Sequence, residues 1–191
     1  MRRENRTYYF SVEGDTEQWY LEWLQRTINA EPTARYTVKL DCKIQKDPVS
    51  RVKRMTVVGK TEITHNSGKN IKYHLGYSNF TFELWMILHM NECNGVLTHR
   101  QQYLNSLNRA YGENFENLEQ YKEEKNFKRI LGKLTLEHVK QAVHRSETIM
   151  RRNEDLGNRL QQYKGYCYYK ENPSLTVWEQ IKRILQDCGI L

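Results

Sequence analysis

The sequence predicts an α/β fold: a small parallel sheet flanked by helices, with a mostly α-helical C-terminal part. Three observations predict it. Residues 7–12 and 36–44 have the composition and alternation of strands. Between them Trp19, Tyr20, Trp23, Leu24, Thr27 and Ile28 recur at helical spacing. Past about residue 93 helical periodicity takes over. The expected division is therefore an α/β core over residues 1–93 and a helical region over 94–191 that packs on it.

Each element has its own warrant. Thr7-Tyr8-Tyr9-Phe10-Ser11-Val12 is aromatic and β-branched, and it runs into Glu13-Gly14-Asp15-Thr16-Glu17. Gly14 supplies a turn, Asp15 or Thr16 a cap, and a helix follows over 16–30. Glu13 then stands at the carboxyl end of a strand, where open α/β sheets hold their ligands. Glu31-Pro32-Thr33 breaks the helix, and residues 36–44 alternate as a strand with one wet face. Asp47-Pro48 looks like a helix start. Residues 56–58 make a short third strand ending in Gly59-Lys60-Thr61-Glu62, and residues 65–72 read as a loop. Residues 73–77 are a candidate fourth strand.

The most apolar window is Phe80-Thr81-Phe82-Glu83-Leu84-Trp85-Met86-Ile87-Leu88-His89, preceded by Ser78 and Asn79 as candidate caps. Its apolar residues cover nearly the whole circumference, which predicts a helix buried on most sides. Glu83 is the only formal charge between Lys72 and Glu92. A carboxylate there must be paired, bound to a cation, protonated, or aimed at an opening; a core helix with one ion-paired Glu is the bland reading. His89 and Cys93 are four apart, a permissible zinc pair with nothing to supply the remaining ligands.

Further on, residues 98–111 are helical with Gly112 as a stop, and 115–127 are charged and weakly apolar. Residues 136–152 form a helix with Val139, Ala142 and Val143 inward and Lys140, Arg145, Arg151 and Arg152 outward. That basic face is a candidate phosphate contact, although such faces are more often merely solvated. Residues 153–165 are polar, either mobile or loosely helical, 166–169 too short to assign, and a last helix begins at Asn172-Pro173-Ser174.

The chain has 191 residues and a net charge of +7, which favours an acidic partner, nucleic acid above all. No apolar run approaches the ~20 residues of a membrane span, and the N-terminal Met-Arg-Arg-Glu-Asn-Arg predicts no signal peptide. The four cysteines include no C-x-x-C pair, so the expectation is a cytoplasmic protein with reduced thiols.

Three segments together resemble the RloB family of prokaryotic defence proteins. Val12-Glu13-Gly14-Asp15-Thr16-Glu17 with Tyr20-Leu21 is similar to the family's opening motif. Ser78-Asn79-Phe80-Thr81-Phe82-Glu83-Leu84-Trp85 with Leu88-His89 resembles its central motif, with Phe80 where the family has proline. Asn172-Pro173-Ser174 with Thr176-Val177 resembles its late motif. The resemblance implies a Toprim-like fold whose strand-end acids hold Mg²⁺ (or Mn²⁺), and anti-phage defence beside an ATPase partner. Glu13 maps to the Toprim glutamate; Glu17, Asn79, Glu83 and His89 map to the family's other polar positions. The place of the second acidic cluster, Asp-x-Asp, reads Gly59-Lys60-Thr61, and Glu62 is the only acid nearby.

Three readings follow. The first is a metal-dependent nuclease cleaving RNA or DNA, with Glu13, Glu83 and Glu62 as metal ligands, and Glu13, Glu17, Glu83 and Lys60 as catalytic candidates. Asn79, His89, Lys140, Arg145, Arg151 and Arg152 are its candidate nucleic-acid contacts, and a homo-oligomer stays open. The second is a module without cleavage that binds nucleic acid, nucleotide or an ATPase partner; Lys60 favours it, because a cation there opposes metal binding. A purely structural subunit is a third.

Overall fold

The computed structural model describes residues 3–44, 74–93, 95, 97, 99–163 and 166–191. The expected helix at Asp47-Pro48, the third strand at 56–58, and the loop carrying Lys60 and Glu62 lie outside the described residues. The fold is mixed α/β, with a small parallel sheet flanked by helices and a helical C-terminal part. Two compact units make it up. One holds the described residues of Met1–Ala30 and Tyr36–His74, the other those of Glu31–Arg35 and Leu75–Leu191.

In the first unit β1 (Glu4–Val12) and β2 (Tyr36–Ile44) pair in parallel, from Glu4 opposite Tyr36 to Val12 opposite Ile44. The helix α1 (Asp15–Ala30) connects them. Alternation sends Arg6, Tyr8 and Phe10 to one face together with their partners Val38, Leu40 and Cys42. Val38 and Leu40 are buried, as are Tyr20, Leu21, Trp23, Leu24 and Ile28 of α1. Each fully buried aliphatic side chain of this layer contributes about 2 kcal/mol. Two side-chain amides of α1 reach the β2 backbone. Asn29 Oδ1 accepts from the Val38 N–H at 2.7 Å while its Nδ2 donates to the Val38 carbonyl at 2.9 Å, and Gln25 Oε1 accepts from the Leu40 N–H at 2.7 Å. Asp15 and Glu17 stand in the first turn of α1, where carboxylates complement the exposed amide dipoles.

The second unit is centred on α2 (Glu83–Met90). Leu84, Trp85, Met86, Ile87 and Leu88 are all buried, as a helix apolar all round requires. Against it pack α3 (Tyr103–Tyr111) and the long α6 (Leu136–Asp155). The short helices α4 (Leu118–Lys122) and α5 (Glu124–Leu131) occupy the charged stretch that has little apolar signal of its own. They hold because Leu118, Tyr121, Phe127, Ile130 and Leu131 are buried, with Tyr121 meeting the Phe115 and Phe127 rings edge-on. Thr135 caps α6 in a reciprocal capping box with His138. Gly112 ends α3 at φ 63°, a left-handed conformation that glycine adopts without steric cost.

Three expectations are corrected. The helix over 136–152 runs on through Asp155, and the polar stretch after it forms a hairpin of β4 (Leu160–Tyr163) and β5 (Tyr166–Tyr169). Residues 74–77 are not a strand; pairing begins at β3 (Ser78–Asn79), which runs antiparallel to β6 (Ser174–Leu175). Ser78 and Asn79 do not cap α2: its N-cap is Phe82, with no side-chain cap bond. Both side chains are used elsewhere, Ser78 Oγ donating to the Thr81 carbonyl at 2.8 Å and Asn79 Nδ2 to the Lys170 carbonyl in the bend between β5 and β6. A last helix, α7 (Val177–Asp187), buries Ile181, Ile184 and Leu185.

Candidate functional site

The carboxyl end of β1 presents the first candidate. Glu13 follows the last strand residue directly and is exposed; Glu17 lies in the first turn of α1. Thr16 Oγ1 donates to Glu17 Oε2 at 3.0 Å, which orients that carboxylate. Gly14 leaves room for it: a Cβ there would come within 3.2 Å of the same oxygen. Among the described residues no three His, Cys, Asp or Glu side chains cluster to hold a metal. Glu13 and Glu17, the motif carboxylates at this strand end, supply oxygen donors only. Such a set fits Mg²⁺, which is usually held by one or two carboxylates and completes its shell with water and phosphate.

The central and late motifs meet in the second unit. In the β3–β6 pair Ser78 stands opposite Leu175 and Asn79 opposite Ser174. Asn79 Nδ2 donates to the carbonyls of Lys170 at 2.8 Å and Glu171 at 3.2 Å. The Tyr103 hydroxyl lies 2.8 Å from the Asn79 carbonyl and 3.0 Å from Asn172 Oδ1, and it accepts from the Phe80 N–H at 3.3 Å. Burial pushes the Tyr103 phenol well above its usual range, so it stays protonated and able to donate. Asn172 Nδ2 in turn donates to the Leu97 carbonyl at 2.8 Å. Thr176 continues the pairing, its N–H donating to the Tyr77 carbonyl at 2.8 Å and its Oγ1 accepting from the Tyr77 N–H at 3.2 Å. These polar positions thus brace one another.

Glu83, 1% exposed, opens α2. Its Oε1 is 3.0 Å from Lys122 Nζ, at the end of α4. Its Oε2 is buried with no hydrogen-bond partner among the described residues, as is the neighbouring Thr81 Oγ1. The carboxylate is therefore paired through one oxygen and retains acceptor capacity on the other.

His89 is 0% exposed. Its Nδ1 lies 2.9 Å from the Trp85 carbonyl, and its ring meets the Trp85 ring edge-on at 4.8 Å. Burial is the main cause that lowers its pKa to about 3, with the charges of His138 and Arg145 acting in the same direction. It is a neutral packing residue in this arrangement. Cys93 is buried and its thiol pKa raised by that burial.

The basic face of α6 divides. Arg145 turns in, donating from Nη1 to the carbonyls of Leu88 at 2.6 Å and His89 at 3.1 Å, so it serves the C-terminal end of α2. Lys140 lies 3.6 Å from Glu137. Arg151 and Arg152 are exposed. Lys60 and Glu62 lie outside the described residues. The residues that sequence reasoning missed are Tyr103 and Lys122. Tyr103 reads as one more apolar position of a helix, and nothing marks Lys122 among the other charges of its stretch.

Comparison with known proteins returns one finding. A family model described as RloB-like protein matches residues 8–184. No curated protein matches the chain, and no solved structure does.

Proposed function

The chain belongs to the RloB-like protein family, and from that membership we propose that it acts in prokaryotic anti-phage defence as a metal-dependent, Toprim-type nuclease. Its substrate is RNA or DNA and its reaction is phosphodiester cleavage. The observation that carries the reading is the exposed Glu13 at the carboxyl end of a parallel strand, immediately before a helix N-terminus. Glu13 and Glu17 are the residues that would hold Mg²⁺ or Mn²⁺. Bound there, the ion would polarise a phosphoryl oxygen and lower the pKa of an attacking water. Thr16 holds Glu17 in one orientation. The first amide groups of α1 favour an anion at the same end of the sheet. Lys60 and Glu62 remain part of this proposal as a phosphate-stabilising cation and a third carboxylate.

Glu83 enters it differently. Tied to Lys122 and buried, it anchors the central motif; its place among the candidate ligands rests on the family motif alone. The proposal also includes an ATPase partner, which the family resemblance implies.

The test is cleavage of labelled RNA and DNA by the purified protein with Mg²⁺ or Mn²⁺. Glu13→Gln is expected to abolish cleavage with the circular dichroism spectrum unchanged. Cleavage that survives this substitution sinks the mechanism.

The second reading is a module that binds nucleic acid, nucleotide or an ATPase partner without cleaving. The exposed Arg151 and Arg152 favour it, because they carry no ion pair among the described residues. It predicts polyanion binding that weakens steeply with salt, and no bound metal at Glu13.

A further inference from the structure

The parallel pair β1–β2 has two unlike faces. Parallel sheets normally lie buried on both sides and read as near-continuous hydrophobic runs. Here one face is covered by α1. The register places on the other Asn5, Thr7, Tyr9 and Ser11 from β1, opposite Thr37, Lys39, Asp41 and Lys43 from β2. Not one of these is aliphatic. Tyr9 is 73% exposed and has no ring or hydrogen-bond partner among the described residues. Exposing so large a ring forgoes roughly 2 kcal/mol of burial, and nothing in the packing among the described residues explains it. Tyr9 is directly opposite Asp41, so Lys39 and Lys43 stand on either side of it along β2. Both lysines are exposed. Asp41 is drawn to Lys39, at 3.5 Å, a surface pair that contributes little to stability.

We propose that this face binds single-stranded nucleic acid, with Tyr9 stacking on a base and Lys39 and Lys43 contacting the phosphates on either side. An exposed ring flanked by cations is the arrangement that accommodates unpaired bases without reading their sequence. A duplex keeps its bases stacked on one another and offers no free face to Tyr9. The net charge of +7 gives the attraction its sign. The direction of the strand supplies the functional link: four residues at about 3.3 Å each bring the face from Tyr9 to Glu13. A strand laid along β1 would therefore be delivered to the carboxylate end of the sheet. In that respect the inference rests on the reading of Glu13 as the reactive end, and it names the substrate of that end as single-stranded.

The experiment uses the full chain carrying Glu13→Gln, which removes cleavage from the measurement. Fluorescence anisotropy follows binding of labelled oligouridylate and oligothymidylate of about 12 nucleotides, within the span such surfaces cover, and of a duplex of equal length. The single strands are expected to bind more tightly than the duplex. Tyr9→Ala is expected to weaken single-strand binding about 10-fold, and Tyr9→Trp to restore it. Lys39→Ala and Lys43→Ala are each expected to reduce the salt slope by about 0.7. Equal affinity for the duplex, or an unchanged affinity in Tyr9→Ala, overturns the proposal, as does a protein that binds no oligonucleotide. Cleavage is assayed separately in the Glu13-containing protein. If Tyr9→Ala weakens binding but Glu13→Gln leaves cleavage intact, the binding face stands and the Glu13 mechanism falls. If Glu13→Gln abolishes cleavage and Tyr9→Ala changes nothing, the reverse holds.

Discussion

Lys122 neutralises Glu83: its side chain, 40% exposed at the end of α4, brings the ammonium 3.0 Å from a carboxylate that is almost wholly buried. Removing the cation while keeping the anion leaves a buried charge with one oxygen already without a hydrogen-bond partner among the described residues. Lys122→Ala is therefore expected to destabilise the fold by about 2–4 kcal/mol, measured by urea unfolding, and Glu83→Gln by less. Solvent reaches the lysine, so the lower end of that range is expected. If Lys122→Ala unfolds at the same urea concentration as the parent, the pair contributes nothing.

His89 makes stability depend on pH. The folded imidazole has its pKa lowered to about 3 from 6.5, so between these values the unfolded chain holds more protons. The contribution is complete above pH 6.5 and is lost as pH falls, by up to about 1.4 kcal/mol per unit. Glu113, whose pKa is lowered to about 2 from 4.5 first by the Arg129 hydrogen bond and then by Lys133, acts in the same direction, but only below 4.5. Unfolding measured between pH 6.5 and 5 therefore isolates the histidine. His89→Phe is expected to flatten the slope there; an unchanged slope would mean that His89 takes up its proton as readily in the folded chain as in the unfolded one.

Tyr103 fastens the central motif to the late one. Tyr103→Phe removes a hydroxyl serving the Asn79 carbonyl, the Phe80 N–H and Asn172. Leaving those groups unpaired is expected to cost about 1–3 kcal/mol. Hydrogen exchange at the Phe80 amide should speed up more than exchange within α5. Equal effects at both places would argue against a local role.

Arg145 is predicted to behave unlike Arg151 and Arg152. Its guanidinium is spent on the Leu88 and His89 carbonyls, so Arg145→Ala is expected to lower stability by about 1–2 kcal/mol. It should leave the salt dependence of oligonucleotide binding unchanged. Arg151→Ala with Arg152→Ala should leave stability alone and shift binding, if the face of α6 touches phosphate. Anisotropy at two salt concentrations checks both.

How legible these features were follows from the range of the interactions that make them. The first strand, helix and second strand announce themselves because period two and period 3.6 are local signals, and the structure has β2 at the expected residues. The buried α2 is equally plain in a run of five apolar residues, Leu84 to Leu88. The β4–β5 hairpin was not, because its polar residues carry no alternation, and β3 and β6 are two residues each. Ser78 and Asn79 have the chemistry of caps, and only tertiary structure reveals that Asn79 is committed to Lys170 and Glu171. The demand of Glu83 for a partner was legible in its isolation; the partner was not, since Lys122 lies far along the chain among many other charges. Glu13 and Glu17 could be placed at a strand end from the turn between them, which the structure keeps.

The two amides that α1 extends to β2 also limit what the sheet can join. Between Val38 and Leu40 the outward backbone groups of β2 are already occupied by Asn29 and Gln25. A β-strand offered by a second copy, or by a passing unfolded chain, finds no free ladder there to extend. The helix thus acts as a selvedge over this stretch: from Val38 to Leu40 it finishes the margin of the strand in side-chain amides.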